Sequence, residues 1–170
     1  MEGMETPRIR EANRRDLPAL VALWQEMMDY HRGYDERFRF SANAPREVER
    51  HLLETLRSRA ARIMLGEAEG HVIGYIVGEV HARRPIYPVG TYGFISDICV
   101  TAGWRRRGVG RALVGALDAW FAPQKVTSVE LFAAALNPES IAFWRSMGYT
   151  DYLRLMRRDM DTEQQEPGKS

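Results

Sequence analysis

The sequence predicts a single α+β domain built on a mixed, mostly antiparallel sheet flanked by helices. Three observations predict it. Segments of alternating and of 3.6-residue apolar periodicity follow one another in the order β-α-α-β-β-β-α-β-α-β. A tight turn at Glu69-Gly70 joins two strand-like runs directly, which makes an antiparallel hairpin. The 170 residues, 45% hydrophobic, show no internal repeat and no composition break, enough for one core without disulfide or metal support. The expected boundaries are an N-terminal extension over 1–7, the domain over 8–160 and a polar, disordered tail over 161–170.

Arg8 to Ala12 reads as the first strand. Asn13 or Asp16 can then cap a helix with Pro18 in its first turn and an apolar stripe through Leu17, Leu20, Val21, Leu23, Trp24, Met27 and Met28. A polar and aromatic loop is expected from Tyr30 to Ala44, followed by a helix near Arg46 to Ser58. The hairpin strands are Arg62 to Ala68 and His71 to His81. Gly74 and Gly78 inside the second mark a bulge or a close backbone approach. A Pro-containing loop over Arg83 to Pro88 leads to a strand from Tyr92 to Val100, then a basic turn, then a helix to about Phe121. Val126 to Ala135 alternates as the next strand. Asn137 caps a helix with Pro138 at its first position, Gly148 ends it, and Tyr149 to Arg158 alternates as a last strand.

Composition excludes several function classes. Lys and Arg total 24 against 23 for Asp and Glu, and a net charge of +1 provides no global field for nucleic acid or anionic membrane. Any anion site must therefore be local. The lone Cys99 makes a disulfide framework impossible and points to a reducing compartment. His31, His51, His71 and His81 are too dispersed for zinc spacings, so no metal is expected. No stretch reaches the roughly 20 apolar residues of a membrane span, and the acidic start is followed by no apolar signal region. A soluble, cytoplasmic protein is expected.

The chemistry concentrates in one turn. Strand Ile95 to Val100 runs through Arg105-Arg106-Arg107-Gly108-Val109-Gly110 into a helix, so unpaired backbone N–H groups at the helix start point into the turn. Gly108 and Gly110 let phosphate oxygens approach, and the helix dipole and guanidinium groups favour a diphosphate. Other phosphate motifs fail on named residues. A Walker loop needs Lys and Ser or Thr directly after the second glycine, where this chain has Arg111-Ala112. A dinucleotide fingerprint needs Gly or Ala at 113, which is Leu, and a tighter turn than Thr101 to Arg107.

The segment from Ile98-Cys99-Val100 through Trp104-Arg105-Arg106-Arg107-Gly108-Val109-Gly110-Arg111-Ala112-Leu113 resembles motif A of the GNAT acetyltransferase superfamily. Asn137-Pro138-Glu139-Ser140-Ile141-Ala142-Phe143-Trp144-Arg145-Ser146-Met147-Gly148-Tyr149 resembles its motif B. The resemblance implies the GNAT fold, with splayed fourth and fifth strands forming an acetyl-CoA cleft. It implies that Ile98, Cys99 and Val100 line the pantetheine arm and that Arg105, Arg106, Arg107, Gly108, Val109, Gly110 and Arg111 hold the diphosphate. Asn137 would contact the arm, with helix capping as its alternative role, and Trp144 would wall the thioester.

The implied reaction is direct attack of a primary amine of a small molecule or peptide on acetyl-CoA in a ternary complex. Asp97 is the preferred proton acceptor and Glu79 the runner-up, each acting through water, with a structural carboxylate or an exposed strand position as the alternatives. Trp144 stands where the family often has tyrosine, and indole cannot protonate a thiolate. Water or direct thiolate departure remains for that step. A covalent acetyl-Cys99 route lacks an adjacent base. The acceptor groove would be walled by the loops Tyr30 to Ala44 and Pro85 to Pro88, and a homodimer is a family-level expectation. The rival readings are a non-catalytic CoA-binding regulatory module and nonspecific nucleic-acid binding through the arginines.

Overall fold

The computed structural model describes residues 6–88 and 90–160. Five strands, β1 (Arg8–Glu11), β2 (Ala61–Ala68), β3 (His71–Ala82), β4 (Thr91–Val100) and β5 (Val126–Leu131), form one sheet in that order. The first four pair antiparallel, and β4 pairs parallel with β5. The expected mixed, mostly antiparallel sheet flanked by helices is present. Glu69 and Gly70 both take positive φ (52° and 73°), the geometry a two-residue hairpin turn requires.

Helix α1 (Leu17–Tyr34) follows a 3-10 turn that Asn13 caps. Asp16 closes that turn by accepting the Asn13 N–H at 2.8 Å, and it also accepts two hydrogen bonds from Arg10 at 2.8 Å. The Arg10 guanidinium beside it holds the buried Asp16 carboxyl below the usual carboxylate range. Helix α1 runs through Gly33 to Tyr34, so the loop expected from Tyr30 begins five residues later, at Asp35, and α2 (Ala44–Arg57) follows. Leu20 and Leu23 of α1 and Leu52 of α2 bury against Ile63, Leu65, Tyr75 and Val77 on one face of the sheet. Helix α3 (Val109–Phe121) packs Leu113, Leu117 and Phe121 on the other face, against Ile76 and Ile95.

The strand glycines explain how closely α3 approaches. A Cβ on Gly78 would lie 2.6 Å from Leu117, and one on Gly93 would lie 2.8 Å from Phe121. Gly78 also borders the irregularity in the β3–β4 register. Val77 pairs with Asp97 but Gly78 pairs with Ile95, which leaves Ser96 as an extra residue bulged out of β4.

Two expectations for the C-terminal third are corrected. β5 ends at Leu131 and not at Ala135, because Asn137 N–H donates to Ala134 O at 3.0 Å and turns the chain out of the sheet. Pro138 then starts α4 (Pro138–Ser146). The strand expected over Tyr149 to Arg158 is absent: 149–160 holds no regular structure and pairs with none of the described strands. Its alternation describes side chains only, and Tyr152, Leu153, Leu155 and Met156 are all exposed. The expected tail over 161–170 and most of the expected N-terminal extension lie outside the described residues.

Candidate active site

The site begins where the parallel pair stops. The last paired residues of β4 and β5 are Ile95 and Leu131, and β4 continues five residues further, paired with β3 but without a strand on its β5 side. Thr101 N–H donates to Ile73 O at 2.9 Å, so Thr101 and, two residues back, Cys99 turn their peptide groups toward β3. Ile98 and Val100 turn theirs the other way, to the side that β5 has left. Val100 O indeed accepts Arg105 Nε at 2.8 Å from that side.

The basic turn is built by more than its glycines. Arg106 (φ 63°) and Gly108 (φ 82°) are both left-handed, and α3 starts at Val109. A Cβ on Gly108 would meet nothing within 4 Å, so the approach to the first N–H groups of α3 is open. Gly110 serves a different end: a Cβ there would stand 3.2 Å from the Phe143 ring of α4. Glu26 of α1 ties the turn down. Its carboxylate accepts from Thr101 Oγ1 and Ala102 N, both at 2.9 Å, and from Arg105 Nη2 at 3.4 Å.

The arginines therefore divide. Arg105 is spent on Val100 O, Glu26 and the face of Tyr30, 4.2 Å from the ring centroid. Arg107 lies over the Trp104 ring, while Arg106 and Arg111 are exposed and line the cavity.

That cavity measures about 680 Å³. Ile98, Cys99 and Val100 form its floor, Gly108 and Gly110 one end, and Met27, Tyr30 and His31 of α1 face Ala142, Phe143 and Ser146 of α4. Asn137 is buried at its edge and accepts Ser140 N–H at 3.0 Å, so it caps α4 while lining the cavity. Tyr30 O–H donates to Glu139 Oε2 at 2.8 Å and bridges the two walls. Trp144 does not line the cavity. It is buried in the core under α3, edge-to-face with Phe143 and Tyr149 at 5.0 Å each, and the rings lining the cavity are those of Phe143, Trp104, Tyr30 and His31.

The two candidate proton acceptors differ in their partners. Asp97 lies on the α1/α2 face beside Ile98 and makes no ion pair among the described residues. Its one hydrogen bond comes from Ser96 Oγ at 3.5 Å. Burial pushes its pKa up, and the charge of Glu79 adds to this against an opposing effect from His51. Glu79 is committed to His81 Nε2 at 3.0 Å. Cys99 donates to Leu23 O at 3.2 Å, and burial pushes its thiol up to about 12, which removes it as a nucleophile.

His31 is cavity-lining and stacks on Phe38 at 5.0 Å, and burial lowers its pKa. Glu26 completes the site without a sequence signal, because the residues it holds, Thr101, Ala102 and Arg105, lie 75 or more residues away in the chain. Among the described residues, no group of three His, Cys, Asp or Glu could hold a metal, and no helix is long and apolar enough to cross a membrane.

A sequence model of the acetyltransferase (GNAT) family matches residues 20–149, which include the turn, both split strands and α4. The chain belongs to the GNAT family. No curated protein is similar enough in sequence to count as a relative. Among solved structures, this GNAT chain is similar to a mutant BH1408 protein from Bacillus halodurans, with a TM-score of 0.81 and 21% identity over 90% of this chain and 99% of that one. It is also similar to the aminoglycoside N-acetyltransferase AAC(6')-Iy in complex with CoA, with a TM-score of 0.73 and 17% identity over 95% and 99% of the two chains. For aminoglycoside 6'-N-acetyltransferase AAC(6')-IG from Acinetobacter haemolyticus the values are 0.71, 17%, 92% and 99%. At these identities the likeness is one of fold.

Proposed function

We propose that this GNAT protein is an acetyl-CoA-dependent N-acetyltransferase that acetylates a primary amine of a small molecule or peptide by direct attack. The observation that carries the reading is the joining, in one cavity, of an unpaired strand edge at Ile98 and Val100 to an open helix N-terminus at Gly108. The first suits an amide-containing arm and the second a diphosphate. The residues present fit acetyl-CoA, which supplies the activated thioester. Peptide groups of Ile98 and Val100 align the arm, and the N–H groups from about Arg106 to Arg111, with the Arg106 and Arg111 side chains, hold the diphosphate.

Asp97 is the proposed proton acceptor, with Glu79 second because His81 already occupies it. As the amine nitrogen bonds to the acetyl carbon, its proton passes to Asp97 through water and the carbon–sulfur bond breaks. Sulfur leaves as the thiolate, which solvent protonates, since Trp144 is buried away from the cavity. A raised carboxylate pKa makes Asp97 a better acceptor than an ordinary aspartate. The aminoglycoside acetyltransferases among the similar structures favour a small-molecule acceptor.

Thiol release from acetyl-CoA across a panel of primary amines tests the reading. Turnover above background on at least one amine is expected, and none on any amine would leave the chain a CoA-binding module without catalysis. Gly110→Glu should abolish acetyl-CoA binding in a protein that circular dichroism shows to be folded. Unchanged affinity would overturn the placement of the diphosphate.

A further inference from the structure

Four rings stand in a row on the α1/α2 face of the sheet, beyond the cover of either helix. Tyr92 stacks on His81 with centroids 5.5 Å apart, His81 meets Phe94 edge-on at 6.1 Å, and Phe94 meets Phe132 edge-on at 5.6 Å. The strand register places them there. Gly93 and Ile95 face α3, so Tyr92 and Phe94 face the opposite way, next to their partners His81 and Glu79. Arg83 closes the outer end of the row, 4.8 Å from the Tyr92 centroid. The inner end is Phe132, 75% exposed, the first residue after β5 leaves the sheet and so at the point where the two strands part.

A ring that is exposed at a cleft apex and backed by three others is an apolar platform with no partner among the described residues. Its charges are sorted. Of the three carboxylates bordering it, Glu79 already has the His81 imidazole as a partner and Glu130 is paired with Arg83 at 3.0 Å, which leaves Asp97 as the one without an ion pair among the described residues. One unpaired negative charge beside a flat apolar surface matches a molecule with one ammonium group and one flat apolar group. A polycation would bring its further charges against Arg83.

We infer that the row ending at Phe132 is the acceptor subsite, and that the acceptor is a monocationic primary amine carrying an aromatic ring. The inference rests on the transferase reading for the reaction but not for the binding. The ring lies on Phe94 and Phe132, and the amine reaches past Phe132 toward Asp97 at the split.

The test compares 2-phenylethylamine with n-butylamine, spermidine and glucosamine, in turnover and in calorimetric binding to the full chain in the presence of CoA. 2-Phenylethylamine should exceed n-butylamine by about tenfold or more in both. Phe132→Ala, a change at an exposed side chain, should lower 2-phenylethylamine binding about tenfold and leave acetyl-CoA affinity unchanged. Binding that Phe132→Ala abolishes, without turnover of any amine, would support the subsite while removing the transferase reading. Preference for spermidine or glucosamine, or 2-phenylethylamine binding untouched by Phe132→Ala, would overturn it.

Discussion

On the α3 face of the sheet, side chains fill gaps left by glycines, and the adjoining cavity wall is backbone, from Val100 through the first turn of α3. On the α1/α2 face, rings remain partly exposed and the Asp97 carboxylate makes no ion pair among the described residues. Under the proposed function, the first region would hold an invariant partner, whose phosphates and amides would meet peptide groups. The second is shaped by side chains, which can change without disturbing the first. A scaffold that separates its two binding problems in this way can exchange one partner and keep the other.

The sharpest way to break this division is Asp97→Asn. If Asp97 is the proton acceptor, kcat should fall by about a hundredfold or more, with acetyl-CoA affinity unchanged. The same substitution should raise stability. Burial lifts the folded-state pKa of Asp97 above its unfolded value, so the folded chain binds the proton more tightly. Stability from this group is therefore full at acid pH and lost as pH rises through the folded pKa. The melting-temperature gain of Asp97→Asn over wild type should be larger at pH 8 than at pH 4. The wild-type kcat/KM should fall on acidification as the base protonates. A variant that keeps its activity would remove Asp97 from the mechanism, and a gain that grows toward acid pH would show that burial does not raise its carboxyl.

The filled glycines allow a second contrast, in stability alone. Gly78→Ala forces a methyl group within 2.6 Å of Leu117 and should cost about 1–3 kcal/mol by overpacking. Gly33→Ala, in α1 with nothing within 4 Å of the added Cβ, should instead stabilise by about 0.4–1 kcal/mol. Urea midpoints with unchanged m-values would measure both. Equal shifts would mean that α3 can withdraw from the sheet more freely than its packing implies.

This division between the faces also decides how much was legible in the sequence. The turn and the α4 cap are contiguous, and glycine, proline and arginine at fixed offsets announce backbone geometry directly. The hairpin at Glu69-Gly70 was legible for the same reason. The end of β5 at Leu131 was not, because Phe132 to Ala135 keeps enough apolar character to read as strand, and only the turn that Asn137 closes on Ala134 removes it from the sheet. Tyr149 to Arg158 failed in the opposite sense: its period is that of a strand, but a strand also needs a backbone neighbour. The place of Trp144 under α3 was equally hidden, since motif spacing puts a residue on a helix without saying which side of that helix meets the core. The aromatic row draws one residue from β3, two from β4 and one from beyond β5, and no linear pattern connects them.

The smallest expected effect tests the joint between the two regions. Glu26→Gln removes a negative charge from the turn proposed to hold the diphosphate, and that alone would strengthen acetyl-CoA binding. It also weakens the hydrogen bonds that hold Thr101, Ala102 and Arg105 in place, which would loosen the turn and weaken binding. The two effects oppose each other, and magnitude decides between them. The Glu26 side chain is 34% exposed and already paired with Arg105, so solvent and salt screen its charge. Losing charge-assisted bonds to a backbone N–H and a hydroxyl should cost on the order of 1 kcal/mol in this setting. Preorganisation should therefore win, with acetyl-CoA Kd rising about fivefold and the acceptor KM unchanged. The salt dependence discriminates: a Kd that falls at low salt and converges with wild type at high salt would show that Glu26 acts on the cleft through its charge and not through its hold on the turn.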